Sequence, residues 1–210
     1  MTTDYEEMFE LAPVSLWLED YSALHALFAD WRAVGVLDLR AHLNADRARI
    51  AECSRCIKVV KVNRRTLTLL GADSTEHLVA NLDRVFRDAM LEAHVDELVA
   101  LWDGKLAFSS QTVNYSLAGQ RLDLLVNGSV LPGHQADWSR VLVAIEDITA
   151  RTRAEARVAK SEHYARGLFE DSPVSLWVED FSTIKRLMDD VRQRGIEDFR
   201  VFTQVTPEFA

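Results

Sequence analysis

The sequence predicts an α+β fold: a single antiparallel sheet with helices on one face, a helical insert after the first strand, and a long C-terminal helix. Three observations carry this prediction. "VSLWLED" and "IKVVKVN" are β-rich runs near the start, with helical spacing between them. Three further β-rich runs stand together, "AFSSQTVNYSL", "RLDLLVNGSVL" and "RVLVAIEDIT". Beyond them Arg151, Ala154, Val158, Ser161, Ala165 and Leu168 recur at steps of three and four.

The elements follow in chain order. A short amphipathic helix over residues 1–11 puts Tyr5, Met8 and Phe9 on one side, and Pro13 breaks it. After the first strand, Ser22 is placed to cap a helix whose Leu24, Leu27, Phe28 and Trp31 recur at helical spacing, and Gly35 to end it. More helix follows through "LRAHLNADRARIAECSRCI", with a break near Asn44, so the insert covers residues 22–56. "RRTLTLLG" is a short helix stopped by Gly71, and Asp73 with Glu76 has the spacing of a capping box for "STEHLVANL". "AMLEAHVDELVALWDG" is the clearest helix, with Leu91, His94, Val95, Leu98, Leu101 and Trp102 as its apolar stripe. Ala118-Gly119 turns between the next two strands.

Composition narrows the function classes. The 210 residues suffice for one sizeable core, with 48% hydrophobic and 27% charged residues. A net charge of −9 argues against nucleic acid or an anionic membrane as the main partner. The acidic start "MTTDYEEMFE" lacks a secretory pattern, no apolar run reaches membrane-spanning length, and the cytoplasm is the expected location. Cys53 and Cys56 form a lone C-x-x-C without the second pair of a zinc site; Cys53 falls between Ile50 and Ile57 at helical spacing, as a buried thiol does. No phosphate-cradling glycine loop and no nucleophile elbow is present, so no catalytic residue and no metal site is assigned.

The chain repeats itself. Shifted by 160, its ends align without a gap: Pro13-Val14-Ser15-Leu16-Trp17 meets Pro173-Val174-Ser175-Leu176-Trp177, and Glu19-Asp20 meets Glu179-Asp180. Leu27, Asp30, Arg32 and Gly35 then meet Leu187, Asp190, Arg192 and Gly195. The expected organisation is an N-terminal helix (1–11), a complete domain (12–149), a linking helix (150–171) and the truncated start of a second domain (172–210). The apolar segment Val174–Val178 is expected either to be disordered or to dock on another surface.

"VVKVNRRTLTLLGADSTEHLVANL" resembles the strand-then-helix signature of PAS sensory domains, in which V-N leads into a helix ending L-L-G. "AFSSQTVNYSLAGQRLDLLVNGSV" resembles their long hairpin, and "VLVAIEDITARTRAEARV" their last strand with its D-I-T ending and charged signalling helix. The resemblance covers about residues 9–158; the departure is the insert, since PAS domains ordinarily keep their first two strands close. It implies a bacterial signal-transduction sensor, without enzymatic activity of its own, relaying to a histidine kinase or diguanylate cyclase (GGDEF) output. Asp147, Ile148 and Thr149 are then the signal relay. The other reading is a ligand-free module for homodimerisation through the N-terminal and signalling helices.

The cofactor is open. Trp17, Phe86, Leu98, Leu125, Val143 and Ile145 would line a small apolar pocket, or else fill a core. His94 on the apolar stripe is where haem-binding members carry an axial histidine; a core histidine with a local hydrogen bond is the alternative. Flavin photoreceptors of the family carry a reactive cysteine in the helices after Gly71, and "STEHLVANLDRVF" has none.

Overall fold

The sheet is built by alternation. In Ser15–Asp20 (β1) the side chains of Ser15, Trp17 and Glu19 are buried and those between them half-buried, as the period of two requires. Lys58–Val62 (β2), Ala107–Tyr115 (β3), Arg121–Val130 (β4) and Val141–Asp147 (β5) join it in the order β2-β1-β5-β4-β3. Every neighbouring pair is antiparallel. Trp17 sits opposite Val62 on one side and Val143 on the other, so the first strand is flanked from both directions.

The computed structural model describes residues 2–87, 90–170, 177 and 179–195. Among these, ten helices accompany the sheet: Thr2–Leu11 (α1), Ser22–Ala33 (α2), Leu39–Ala45 (α3), Ala48–Arg55 (α4), Arg64–Leu70 (α5), Thr75–Val79 (α6), Leu82–Val85 (α7), Met90–Trp102 (α8), Thr149–Glu170 (α9) and Ser182–Gln193 (α10). The chain divides into two compact units, Met1–Arg157 and Val158–Ala210.

Helix starts differ from the sequence expectation by one or two residues. Ser22 does not cap α2; its N–H donates to Asp20 Oδ1 at 2.9 Å. For α6 the cap is Ser74, whose hydroxyl accepts the His77 N–H, rather than Asp73. The insert breaks at Asp46, just past Asn44, where the Asp46 carboxylate accepts the Ala48 N–H at 3.0 Å. Gly71 ends α5 at φ 72°, a left-handed conformation that favours glycine.

Asn63 explains the V-N signature. Its Oδ1 accepts the N–H groups of Leu16 and Thr66 and the Thr66 hydroxyl, each at 3.0 Å. Its Nδ2 donates to the carbonyls of Phe9 and Val14 at 3.1 and 2.9 Å. One fully buried amide therefore caps α5, holds the entry of β1 and anchors the end of α1.

The insert joins the core. Phe28 on α2 meets Trp102 of α8 edge-on at 5.3 Å and Trp138 of the loop before β5 at 6.0 Å. Arg32 stacks over the Trp102 ring at 4.2 Å and donates to the Trp102 carbonyl. The insert's Cys53 is wholly buried in this core, as its helical spacing predicts.

In the second unit, α10 carries the repeat of α2. Phe181, Ile184, Leu187 and Met188 are exposed there, whereas their counterparts Tyr21, Leu24 and Phe28 are buried and Leu27 is half-buried. Residues 174–176 and 178, on which the expectation of disorder or docking falls, lie outside the described residues. Trp177 is exposed.

Candidate functional site

Three walls line a cavity of about 540 Å³ between the sheet and the helices. The sheet supplies Trp17 from β1, Val143 and Ile145 from β5, Val126 from β4, and Thr112 and Asn114 from β3. Helix α8 supplies Leu91, His94 and Glu97, α7 and its exit supply Leu82 and Phe86, and α4 of the insert supplies Ala51 and Ser54. The volume lies within the range of small-molecule sites, and the lining is mainly apolar, as such sites are.

The polar groups follow from strand alternation. Glu19 must share the inner face of β1 with Trp17, two residues away. On β3, the buried Phe108 puts Ser110, Thr112 and Asn114 on the same inner face. This inner face is thus polar along most of its length. The Tyr21 hydroxyl donates to Glu19 Oε2 at 3.0 Å. Glu97 takes the Ser110 hydroxyl on one oxygen and pairs with His94 Nδ1 at 3.1 Å on the other.

Burial pushes the Glu19 carboxyl up from its ordinary 4.5 to about 7. The Tyr21 hydrogen bond offsets part of that rise, and the nearby Glu97 adds to it. Burial likewise holds the Tyr21 phenol well above its usual range, with Glu19 and Glu97 contributing.

Three buried polar atoms of this lining have no protein partner: His94 Nε2, Thr112 Oγ1 and Asn114 Oδ1. Buried polar atoms are nearly always paired, so three orphans around one cavity mark positions a ligand or water would satisfy. The fourth such atom, His42 Nε2, lies elsewhere, on a ring packed against Trp31.

Of the residues that the sequence nominates, Trp17, Phe86, His94, Val143 and Ile145 line the cavity. Leu98 does not; it lies one helical turn beyond His94 on α8 and is buried in the core. Leu125 does not either. It is half-buried and alternates away from Leu124 and Val126, and Val126 takes the lining position. Glu19, Tyr21, Glu97, Thr112 and Asn114 are absent from the sequence nomination.

Asp147, Ile148 and Thr149, expected as the relay, lie at the C-terminal end of β5 and the start of α9. The Ile148 N–H donates to the Asp123 carbonyl at 2.9 Å, and the Asp147 carboxylate accepts the Thr149 N–H at 2.9 Å. The Thr149 hydroxyl accepts the Asp123 N–H at 2.9 Å. Ile148 and Thr149 are buried, and Asp147 is exposed.

For a haem, His94 Nε2 and the Met90 thioether are among the lining atoms that could bind the iron. The rest of the lining does not suit the group: the wall beside His94 holds Glu19 and Glu97, and Arg55 is the single lysine or arginine among the described lining residues, against two haem propionates. For a flavin adduct, Cys53 does not line the cavity, and burial pushes its thiol up to about 12. No group of three or more histidine, cysteine or acidic side chains that could hold a metal ion is found among the described residues.

No protein-family model and no curated protein matches the chain. Solved structures do. An RNA-binding light-oxygen-voltage receptor superposes with a TM-score of 0.51 at 13% identity, covering 78% of this chain and 37% of that one. A light-oxygen-voltage domain studied with a flavin analogue gives 0.47 at 15% identity, covering 78% of this chain and 99% of that one. A domain of a sensory box sensor histidine kinase/response regulator from Geobacter sulfurreducens gives 0.42 at 13% identity, covering 70% and 93%. The five-stranded antiparallel sheet, with helices on one face and a cavity between them, makes an α+β domain. The fold is the PAS fold, with a three-helix insert between its first two strands. Among the described residues, no helix is long and apolar enough to cross a membrane.

Proposed function

We propose that this chain is a PAS sensory module that binds a small molecule in the cavity and passes the change through β5 into α9. The observation that carries this reading is the set of three partnerless buried atoms, on His94, Thr112 and Asn114, around one cavity. Val143 and Ile145 form part of the cavity wall, and the same strand runs into Asp147, Ile148 and Thr149. A ligand that displaces this wall shifts the start of α9 directly. The output module would be a histidine kinase or diguanylate cyclase outside these residues, with no catalysis by the chain itself and a cytoplasmic setting.

Mass spectrometry of the acid-denatured, freshly purified protein tests this reading, together with an absorbance spectrum of the native protein. A co-purifying small molecule without a Soret or flavin band is the expected result. No released molecule, and no thermal stabilisation by any member of a metabolite panel, would count against ligand binding.

The exposed face of α1 favours a second reading, homodimerisation through α1 and α9. Tyr5, Met8 and Leu11 are 75%, 68% and 70% exposed, and Val158 of α9 is 58% exposed. Apolar side chains at a spacing of three on a ten-residue helix suit a second copy of the same helix. Light scattering should give a dimer mass that falls to the monomer in Met8→Glu or Val158→Glu protein; a wild-type monomer at high concentration excludes this reading.

A further inference from the structure

The acidic side chains of the cavity outnumber its basic ones: Glu19, Glu97 and Asp83 line it against Arg55. Glu97 accepts from Ser110 and His94, and Glu19 accepts from Tyr21, so each carboxylate keeps unused lone pairs. His94 Nε2, the Thr112 hydroxyl and Asn114 Oδ1 are left without protein partners, the amide oxygen an acceptor and the hydroxyl able to accept or donate. Against these stand aromatic faces: Trp17 and Phe86 lie 6.0 Å apart between centroids, and Tyr21 lines the same space. Arg55 and Asp83, both exposed, also line the cavity and offset one another in charge.

Resting on the reading of this cavity as a ligand site, we propose that its ligand is a small organic cation: a protonated amine or amidine on an apolar body. The ammonium group supplies three donors and no acceptor. It would lie among Glu19, Glu97 and Asn114 Oδ1, with its carbon skeleton against Trp17 and Phe86, where ring faces also attract a cation. A carboxylate ligand would meet Glu19 and Glu97 with like charge, and an apolar ligand would leave His94 Nε2 and Asn114 Oδ1 without partners. Burial, with a smaller contribution from Glu97, raises the Glu19 carboxyl, and a bound cation would draw it back down.

The test is calorimetric titration of the full chain at pH 7.5 with three probes of matched shape: 2-phenylethylamine, 2-phenylethanol and phenylacetate. The amine is expected to bind at least about tenfold more tightly than the other two, the gap that charge-assisted hydrogen bonds provide. Glu97→Gln and Glu19→Gln, which keep shape, should each weaken the amine about tenfold and leave the alcohol unchanged. Should either variant fail to fold, the order of the three probes on wild-type protein decides alone. Alcohol or acid binding as tightly as the amine overturns the cation assignment and leaves the ligand site standing. No binding by any probe also overturns it; if denatured protein then releases no small molecule, the ligand reading falls with it.

Discussion

The hydroxyl of Thr149 accepts the backbone N–H of Asp123 at 2.9 Å. The first residue of α9 is thereby fastened to β4, a strand that also forms the cavity wall through Val126. Ile148 adds a backbone bond to the same residue, so the helix begins where β5 ends beside the start of β4.

Thr149→Val keeps the shape and removes the acceptor, leaving the Asp123 N–H buried and unpaired. The expected cost is about 1–3 kcal/mol by urea denaturation, with faster amide exchange in the first turn of α9. Thr149→Ser should retain most of the stability. Equal stability of the two variants would show that the hydroxyl does not hold the junction.

Asn63→Ala removes a fully buried amide that bonds to α1, β1 and α5 at once. A loss of about 2–4 kcal/mol is expected, against less than about 0.5 for the exposed neighbour Arg64→Ala. Comparable midpoints for the two would mean that the amide network contributes little.

Glu19 makes stability depend on pH. Its folded value, about 7, lies above the ordinary 4.5, so the folded state holds a proton that the unfolded chain releases between these values. Its contribution is therefore full below about pH 4.5, falls as pH rises, and is gone above about 7. Over that window the total is on the order of 3 kcal/mol. Glu19→Gln should flatten this slope and be the more stable protein at pH 8. Parallel stability curves for the two proteins from pH 5 to 8 would contradict the assignment.

Phe108 lies across the strand pair from Gly128, with its ring over the glycine; a Cβ there would stand 2.0 Å from Phe108 Cζ. Gly128→Ala should cost about 1–3 kcal/mol through displacement of that ring. The cost should shrink when Phe108→Leu is already present, which a double-mutant cycle measures. Additive effects would rule out the contact as the cause.

Cys53 is buried, with its thiol pushed up to about 12, and burial also raises that of half-buried Cys56. At pH 8 a disulfide reagent should modify the Cys56→Ser protein only after denaturant is added. Rapid reaction of the folded variant would place Cys53 at an accessible surface.

The strands, the long helix α8 and the insert are legible because each rests on local periodicity or on a turn residue; the D-I-T junction came with the resemblance to PAS domains. Helix starts are less legible: Asp20, Ser22, Asp73 and Ser74 are all capable caps, and only backbone geometry chooses among them. Part of the site is written in the alternation of the strands. Period two places Glu19 with Trp17 and Thr112 with Phe108, but a buried carboxylate or hydroxyl runs against the usual sorting of polar residues outward. The same rule separates Val126 from Leu125, although in "LDLLVNG" adjacent apolar residues hide which belongs to the inner face.

The sequence by itself determined the repeat, the element order and the fold class, because these depend on residue spacing along the chain. Burial was decided only in three dimensions. Trp17 is 1% exposed and its counterpart Trp177 is 83% exposed, within nearly the same eleven residues. Trp17 is covered because Val62 and Val143 flank it and Phe86 lies over it, and these come from distant parts of the chain. The cavity has the same origin. Its acids, its histidine and its partnerless atoms converge from β1, β3 and α8, and no local pattern records that they face one another.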